Sequence, residues 1–155
     1  MEFKMRTVFL FIIFLFSFSN LAASELTVFD HLGQKHKLST EQLLSLPQKE
    51  IETSLPWVDG LSVYSGVTLQ TVLETLDKPI PSQVTFVALN DYKIAVPKED
   101  FLDYQPIIAI KQNGKLMSVR DKGPYWLVYP LSSNPEIDST DFHAKMIWQI
   151  RDIHL

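Results

Sequence analysis

The chain has 155 residues, no cysteine and a formal net charge of −4. That length supports one domain around one core, and the acidic balance speaks against nucleic acid, whose binding draws on a basic face, and offers no polybasic patch to anionic lipid. Without cysteine there is no disulfide, no thiol chemistry and no thiolate metal ligand, so stability must come from packing.

Lys4 and Arg6 precede an apolar run over residues 8–18, and Ser19-Asn20-Leu21-Ala22-Ala23 supplies small residues for a peptidase. This is the layout of a secretory signal over residues 1–23, leaving residues 24–155 as a single periplasmic domain. The apolar run is shorter than the roughly 20 residues a spanning helix needs, so no membrane insertion is expected after cleavage.

Residues 25–29 and 36–38 read as an opening hairpin around Asp30-His31-Leu32-Gly33-Gln34. Ser39 starts a helix, with Gln42 completing a capping box and Leu38 and Leu43 placed as a hydrophobic staple; Pro47 ends it. Residues 49–54 alternate as an edge strand, and residues 55–65, with Pro56-Trp57 and Asp59-Gly60, read as a loop. A second helix opens at Thr68, its Leu69, Val72, Leu73 and Leu76 falling on one face, and Pro79 stops it. Residues 84–89 and 92–96 form a hairpin around Asn90-Asp91, with Phe86, Ile94 and Val96 inward, and residues 98–101 make a helical turn.

The most informative stretch is 111–130. Asn113-Gly114, between Ile107-Ile108-Ala109-Ile110 and Leu116-Met117, is the pair a type I′ hairpin turn requires, because both turn residues need positive φ. A charged loop, Arg120-Asp121-Lys122, follows, closed by Gly123-Pro124, and Tyr125 to Tyr129 then reads as a buried strand. Residues 131–141 read as a polar loop, and Met146, Trp148 and Ile150 alternate into a closing strand. The whole is a compact α+β domain.

No generic catalytic signature stands out. His31, His36, His143 and His154 lack paired ligand spacing, so no metal site is expected. Asp138, Ser139, Asp141 and His143 cluster before the last strand, where the same residue types also serve ordinary turns. Trp57 beside Pro56 is expected at a pocket rim, whereas Trp126 and Trp148 are expected in the core. Arg120 is the leading candidate for an anionic ligand, since its planar fork meets a carboxylate or phosphate in two hydrogen bonds. Lys122 is expected to assist it or to pair with Asp121, and Arg120 has the alternative of tying down its loop through backbone carbonyls or Asp91.

The ordered series Gly66-Val67-Thr68-Leu69, Leu89-Asn90-Asp91-Tyr92 with Val96-Pro97, Asn113-Gly114-Lys115-Leu116, and Gly123-Pro124 with Leu127-Val128-Tyr129-Pro130 resembles the molybdopterin-binding domain of the sulfite oxidase-like family. The resemblance is strongest to short secreted members. It implies a mixed α+β fold and kinship to oxidoreductases, and it adds Asn90, Asp91 and Tyr92 to the candidate ligand-binding residues. In that family a cysteine before the Gly-Val-x-Leu helix holds the metal; here Thr53 to Leu55 stand near its position. Trp126 stands where the family tends to place a phosphate-gripping arginine, and Leu131-Ser132-Ser133-Asn134 replace its lysines.

Two functions are therefore expected. One is a non-catalytic periplasmic binding or sensory-accessory module without a cofactor, taking a small anionic ligand or the periplasmic part of a membrane signalling protein. The other is a periplasmic oxidoreductase holding a molybdopterin cofactor with atypical ligands.

Overall fold

The computed structural model describes residues 24–155, and the expected signal segment, residues 1–23, lies outside them. Strands β1 (Glu25–Phe29) and β2 (Lys35–Ser39) form the opening antiparallel hairpin. Asp30 holds its turn: the buried carboxylate accepts the Leu32 and Gln34 amides at 3.0 and 2.9 Å and pairs with Lys78 Nζ at 2.8 Å. Helix α1 (Thr40–Ser45) begins with the expected capping box, Ser39 Oγ accepting the Gln42 amide while Gln42 Oε1 accepts the Ser39 amide.

Strand β3 (Lys49–Leu55) is an edge strand, but residues 55–65 are not a loop. Pro56-Trp57 make a two-residue turn into β4 (Val58–Thr68), an 11-residue strand paired with β3 on one side and β7 (Ile107–Gln112) on the other. Asp59, Gly60, Ser62 and Ser65 give this stretch a loop-like composition; Asp59 and Gly60, the latter at φ 75°, sit in an irregularity of the β3–β4 pair, and pairing with β3 from Leu61 and with β7 from Tyr64 overrides the rest. At the register shift between Ser65 and Gly66 the β4 and β7 backbones close up, and a Cβ on Gly66 would lie 2.0 Å from the Ile108 carbonyl oxygen.

Thr68 caps α2 (Leu69–Thr75), which buries Leu69, Val72 and Leu73. Strands β5 (Gln83–Ala88) and β6 (Lys93–Pro97) form the second hairpin, with Phe86 opposite Ile94; α3 (Lys98–Asp103) follows. Asn113 and Gly114 have φ of 49° and 77°, as the type I′ turn between β7 and β8 (Lys115–Leu116) demands. Strand β9 (Trp126–Val128) is wholly buried against β7.

The last third departs from expectation in two places. Residues 131–141 contain 3-10 turns at Leu131–Ser133 and Pro135–Ile137, which bury Leu131 and Ile137, and then enter α4 (Thr140–Lys145). The closing strand β10 (Ile150–His154) starts at Ile150, not Met146. Residues 146–149 instead carry the chain from one sheet to the other, and Gln149 turns the corner at φ 54°.

Those sheets are β2-β1-β10-β5-β6, mixed because β1 and β10 run parallel, and β3-β4-β7-β8 with β9 also on β7. The seam between them is bonded along the chain that crosses it: the Leu127 amide donates to the Ile147 carbonyl at 2.9 Å and the Ile150 amide to the Tyr125 carbonyl at 3.0 Å. One hydrophobic core runs through both sheets, centred on Tyr64, Phe86, Tyr125, Trp126 and Tyr129. The result is a single α+β domain.

Candidate functional site

A pocket of about 400 Å³ opens at this seam. The β3–β4 turn contributes Trp57; the β5–β6 hairpin contributes Ala88, Asn90 and Tyr92; α4 contributes Thr140, His143 and Ala144; and the crossing segment contributes Met146, Ile147 and Trp148. The walls are mainly apolar and aromatic. Trp57 meets Trp148 edge-on at 5.3 Å and 72°, and its other neighbours are His143 at 5.7 Å and Trp126 at 6.2 Å. Trp57 is 37% exposed, so it forms the rim, while Trp126 is fully buried beneath. Trp148, expected in the core, packs against it and also presents itself to the pocket.

Polar groups at the pocket are few and constrained. His143 Nε2 lies 2.6 Å from Asp138 Oδ1, joining two members of the sequence cluster. Asn90 Oδ1 accepts the Tyr92 amide at 3.1 Å, and the Tyr92 hydroxyl donates to the Ala144 carbonyl at 3.3 Å, bracing the hairpin against α4. Asp91, a predicted ligand residue, does not line the pocket; at φ 64° it pairs with Arg151 at 3.1 Å. Asn90 and Tyr92 do line it.

Arg120 and Lys122 stand outside the pocket wall. Arg120 is exposed and, among the described residues, makes no hydrogen bond or ion pair, so the expected ties to Asp91 or to carbonyls are absent. Lys122 does not pair with Asp121, which accepts from Ser118 Oγ at 2.6 Å. Its ammonium instead sits over the Trp126 and Trp148 rings at 5.7 and 5.6 Å, a cation–π arrangement on the aromatic cluster. Gln149 ties this loop to the pocket mouth: its side chain donates to the Val119 carbonyl, while its carbonyl accepts the Leu89 amide.

Behind α4 lies a buried polar cluster. Tyr129 Oη donates to Asp100 Oδ2 at 2.8 Å, and Lys145 Nζ reaches the same oxygen at 2.8 Å. Burial, and then the adjacent Asp100 carboxylate, push the Tyr129 hydroxyl well above the ordinary phenol range. Lys145 thereby anchors the end of the helix that carries His143.

The position implied for a metal-binding cysteine is closed by hydroxyls. Thr53 is fully buried; its Oγ1 accepts the Ser132 amide at 3.1 Å and lies 3.2 Å from Ser132 Oγ, which in turn accepts the Ser54 amide at 3.0 Å. Trp126 occupies the implied arginine position with its indole N–H donating to the Met146 carbonyl at 2.9 Å. Among the described residues no cluster of three or more His, Asp or Glu side chains is arranged for a metal ion. Neutral hydroxyls already committed to one another do not replace a soft thiolate, so this donor set does not fit a molybdenum-loaded cofactor.

No protein-family model matches the chain, and no curated protein does. Among solved structures it is similar to the sulfane dehydrogenase SoxCD from Paracoccus pantotrophus, with a TM-score of 0.61 and 16% identity, covering 84% of this chain and 37% of that one. The fold is shared with a dehydrogenase. At this identity the likeness is one of fold alone, and it agrees with the mixed α+β architecture that the resemblance implies. The chain spans well under half the length of that enzyme. Of the candidate residues, Trp57, Asn90 and Tyr92 come together on the pocket, while Arg120, Lys122 and Asp91 lie outside its lining. The sequence reading missed His143, Trp148 and Thr140 as pocket residues; the Asp138-to-His143 cluster was the available signal.

Proposed function

We propose that this chain is a non-catalytic periplasmic binding module whose pocket holds a small planar heterocycle, with any anionic substituent directed out towards the Arg120-Asp121-Lys122 loop, whose Lys122 ammonium sits 5.6 Å over the Trp148 ring. The observation that carries this reading is the aromatic lining, Trp57, Trp148 and Tyr92 with the edge-braced His143, around about 400 Å³. That volume suits a small molecule, and aromatic walls reward a flat ring. Among the described residues no lysine or arginine lines the pocket, so a bare oxyanion has little to hold it there. A metal-free pterin is a planar heterocycle of the kind the family resemblance suggests, and it needs no thiolate.

Titration of the purified domain with pterin, followed by tryptophan fluorescence and calorimetry, tests this. Binding is expected, weakened about tenfold or more in Trp57→Ala through loss of a stacking wall. Inorganic phosphate alone is expected to give no response. A wild-type domain that binds phosphate but not pterin overturns the reading.

Exposed Leu89, Tyr92 and Val119, the first and last joined through Gln149, favour a second element of the proposal: the periplasmic part of a membrane signalling protein reads the pocket rim. The competing function, an oxidoreductase with a molybdopterin cofactor and atypical ligands, predicts stoichiometric molybdenum in protein purified from its native host. Elemental analysis is expected to find none.

A further inference from the structure

The pocket has one titratable side chain whose hydrogen-bonding role is already half assigned. His143 stands on α4 with its ring edge against Trp57 at 71° and its Nε2 at 2.6 Å from Asp138 Oδ1. A carboxylate only accepts, so Nε2 carries the proton; in the neutral ring Nδ1 is then left with a lone pair. Among the described residues nothing bonds Nδ1. The helix beneath is itself held, by the Tyr92 hydroxyl on the Ala144 carbonyl and by Lys145 on Asp100, and Lys145 is thereby turned to that carboxylate. Asn90 completes the pattern: its Oδ1 accepts the Tyr92 amide, which orients the side chain and leaves its NH₂ free to donate to a ligand.

We infer that His143, positioned by Asp138, reads the ligand edge as a hydrogen-bond acceptor, so that the pocket selects planar heterocycles bearing an N–H or amino donor where they meet this ring, with an acceptor towards Asn90. This rests on the pocket reading above and narrows it to a ligand class. A flat hydrocarbon fills the same walls but leaves Nδ1 of the part-buried His143 unpaired, which is the costly outcome for a partly buried polar group, while the exposed Asn90 amide adds direction to the ligand. Asp138 is the positioning residue: it touches no ligand and sets which ring nitrogen holds the proton.

The test compares two probes at about pH 8: pterin, and its 2-dimethylamino-3-methyl derivative, which has lost both donors on the pyrimidine edge. Wild type is expected to prefer pterin by about tenfold or more, the scale of one hydrogen bond. His143→Ala, which removes the acceptor and makes room for the added methyl groups, is expected to bind both probes through the aromatic walls and to lose the preference. Asp138→Asn releases the constraint on the ring proton and is expected to cut pterin affinity with its melting temperature unchanged. A wild type that binds pterin while His143→Ala keeps the full preference overturns the role of His143 and leaves the pocket reading standing. A wild type that binds neither probe overturns both.

Discussion

Replacing Tyr129 with phenylalanine removes one oxygen from the buried cluster behind the pocket and nothing else. That hydroxyl donates to Asp100 Oδ2 at 2.8 Å, and Tyr129 is fully buried, so no water is at hand to substitute. Lys145 still reaches the carboxylate at 2.8 Å, which keeps the charge paired, and the ring keeps its edge-on contact with Phe142 at 5.5 Å. The loss is therefore that of one hydrogen bond to a charged group, about 1.5–3 kcal/mol, without a cavity contribution. For a domain of this size it corresponds to a fall in Tm of roughly 5–12 °C. Urea and thermal denaturation followed by circular dichroism measure it directly. The pH dependence offers a second readout. The folded Tyr129 hydroxyl is held above the range near 10 where it ionises in the unfolded chain. Its stabilisation is fully present below about pH 10 and is lost as the pH rises further, whereas phenylalanine has nothing to ionise. The gap between the two proteins should therefore narrow in alkali. A Tyr129→Phe protein within about 0.5 kcal/mol of wild type at neutral pH refutes the reasoning.

Gly66→Ala places a Cβ 2.0 Å from the Ile108 oxygen and 2.8 Å from Ala109 Cα, both backbone, so the β4–β7 pairing must shift; a loss of about 3 kcal/mol or more in urea unfolding is expected. The Asp30 carboxyl is held well below the usual carboxylate range, first by Lys78 and then by the Gln34 amide, His36 and the Leu32 amide acting against burial. Its stabilisation is present above about pH 4 and is lost as the pH falls further, so Asp30→Asn should be less stable than wild type at neutral pH, with the gap closing in acid denaturation curves. Arg120→Ala should change stability by less than about 0.5 kcal/mol, because the exposed guanidinium has no partner among the described residues; a larger fall in Tm would show that the side chain ties down its loop.

What the sequence determined by itself is what near neighbours decide. The Ser39–Gln42 capping box, the Thr68 cap, the Asn113-Gly114 turn and the β5–β6 hairpin all follow from residues within a few positions of one another, and each formed as read. The α+β class followed from the same periodicities. Tertiary structure decided the rest. Residues 58–65 became strand because β3 pairs with this stretch from Leu61 on and β7 joins at Tyr64, although its own composition favours a loop. Residues 146–149 gave up the strand their alternation suggested because they must pass between two sheets. The pocket belongs mostly to this second class: Trp57, Asn90 and Tyr92 were legible as candidates one by one, but Trp57, Asn90, His143 and Trp148 come from four separate segments, and local chemistry gives no account of which of them will meet. Lys122 shows the same limit on a smaller scale. Beside Asp121 in sequence it reads as half of an ion pair, yet packing of β9 against the crossing segment brings two indole rings within reach of its ammonium, and partial burial over those faces replaces the adjacent charge.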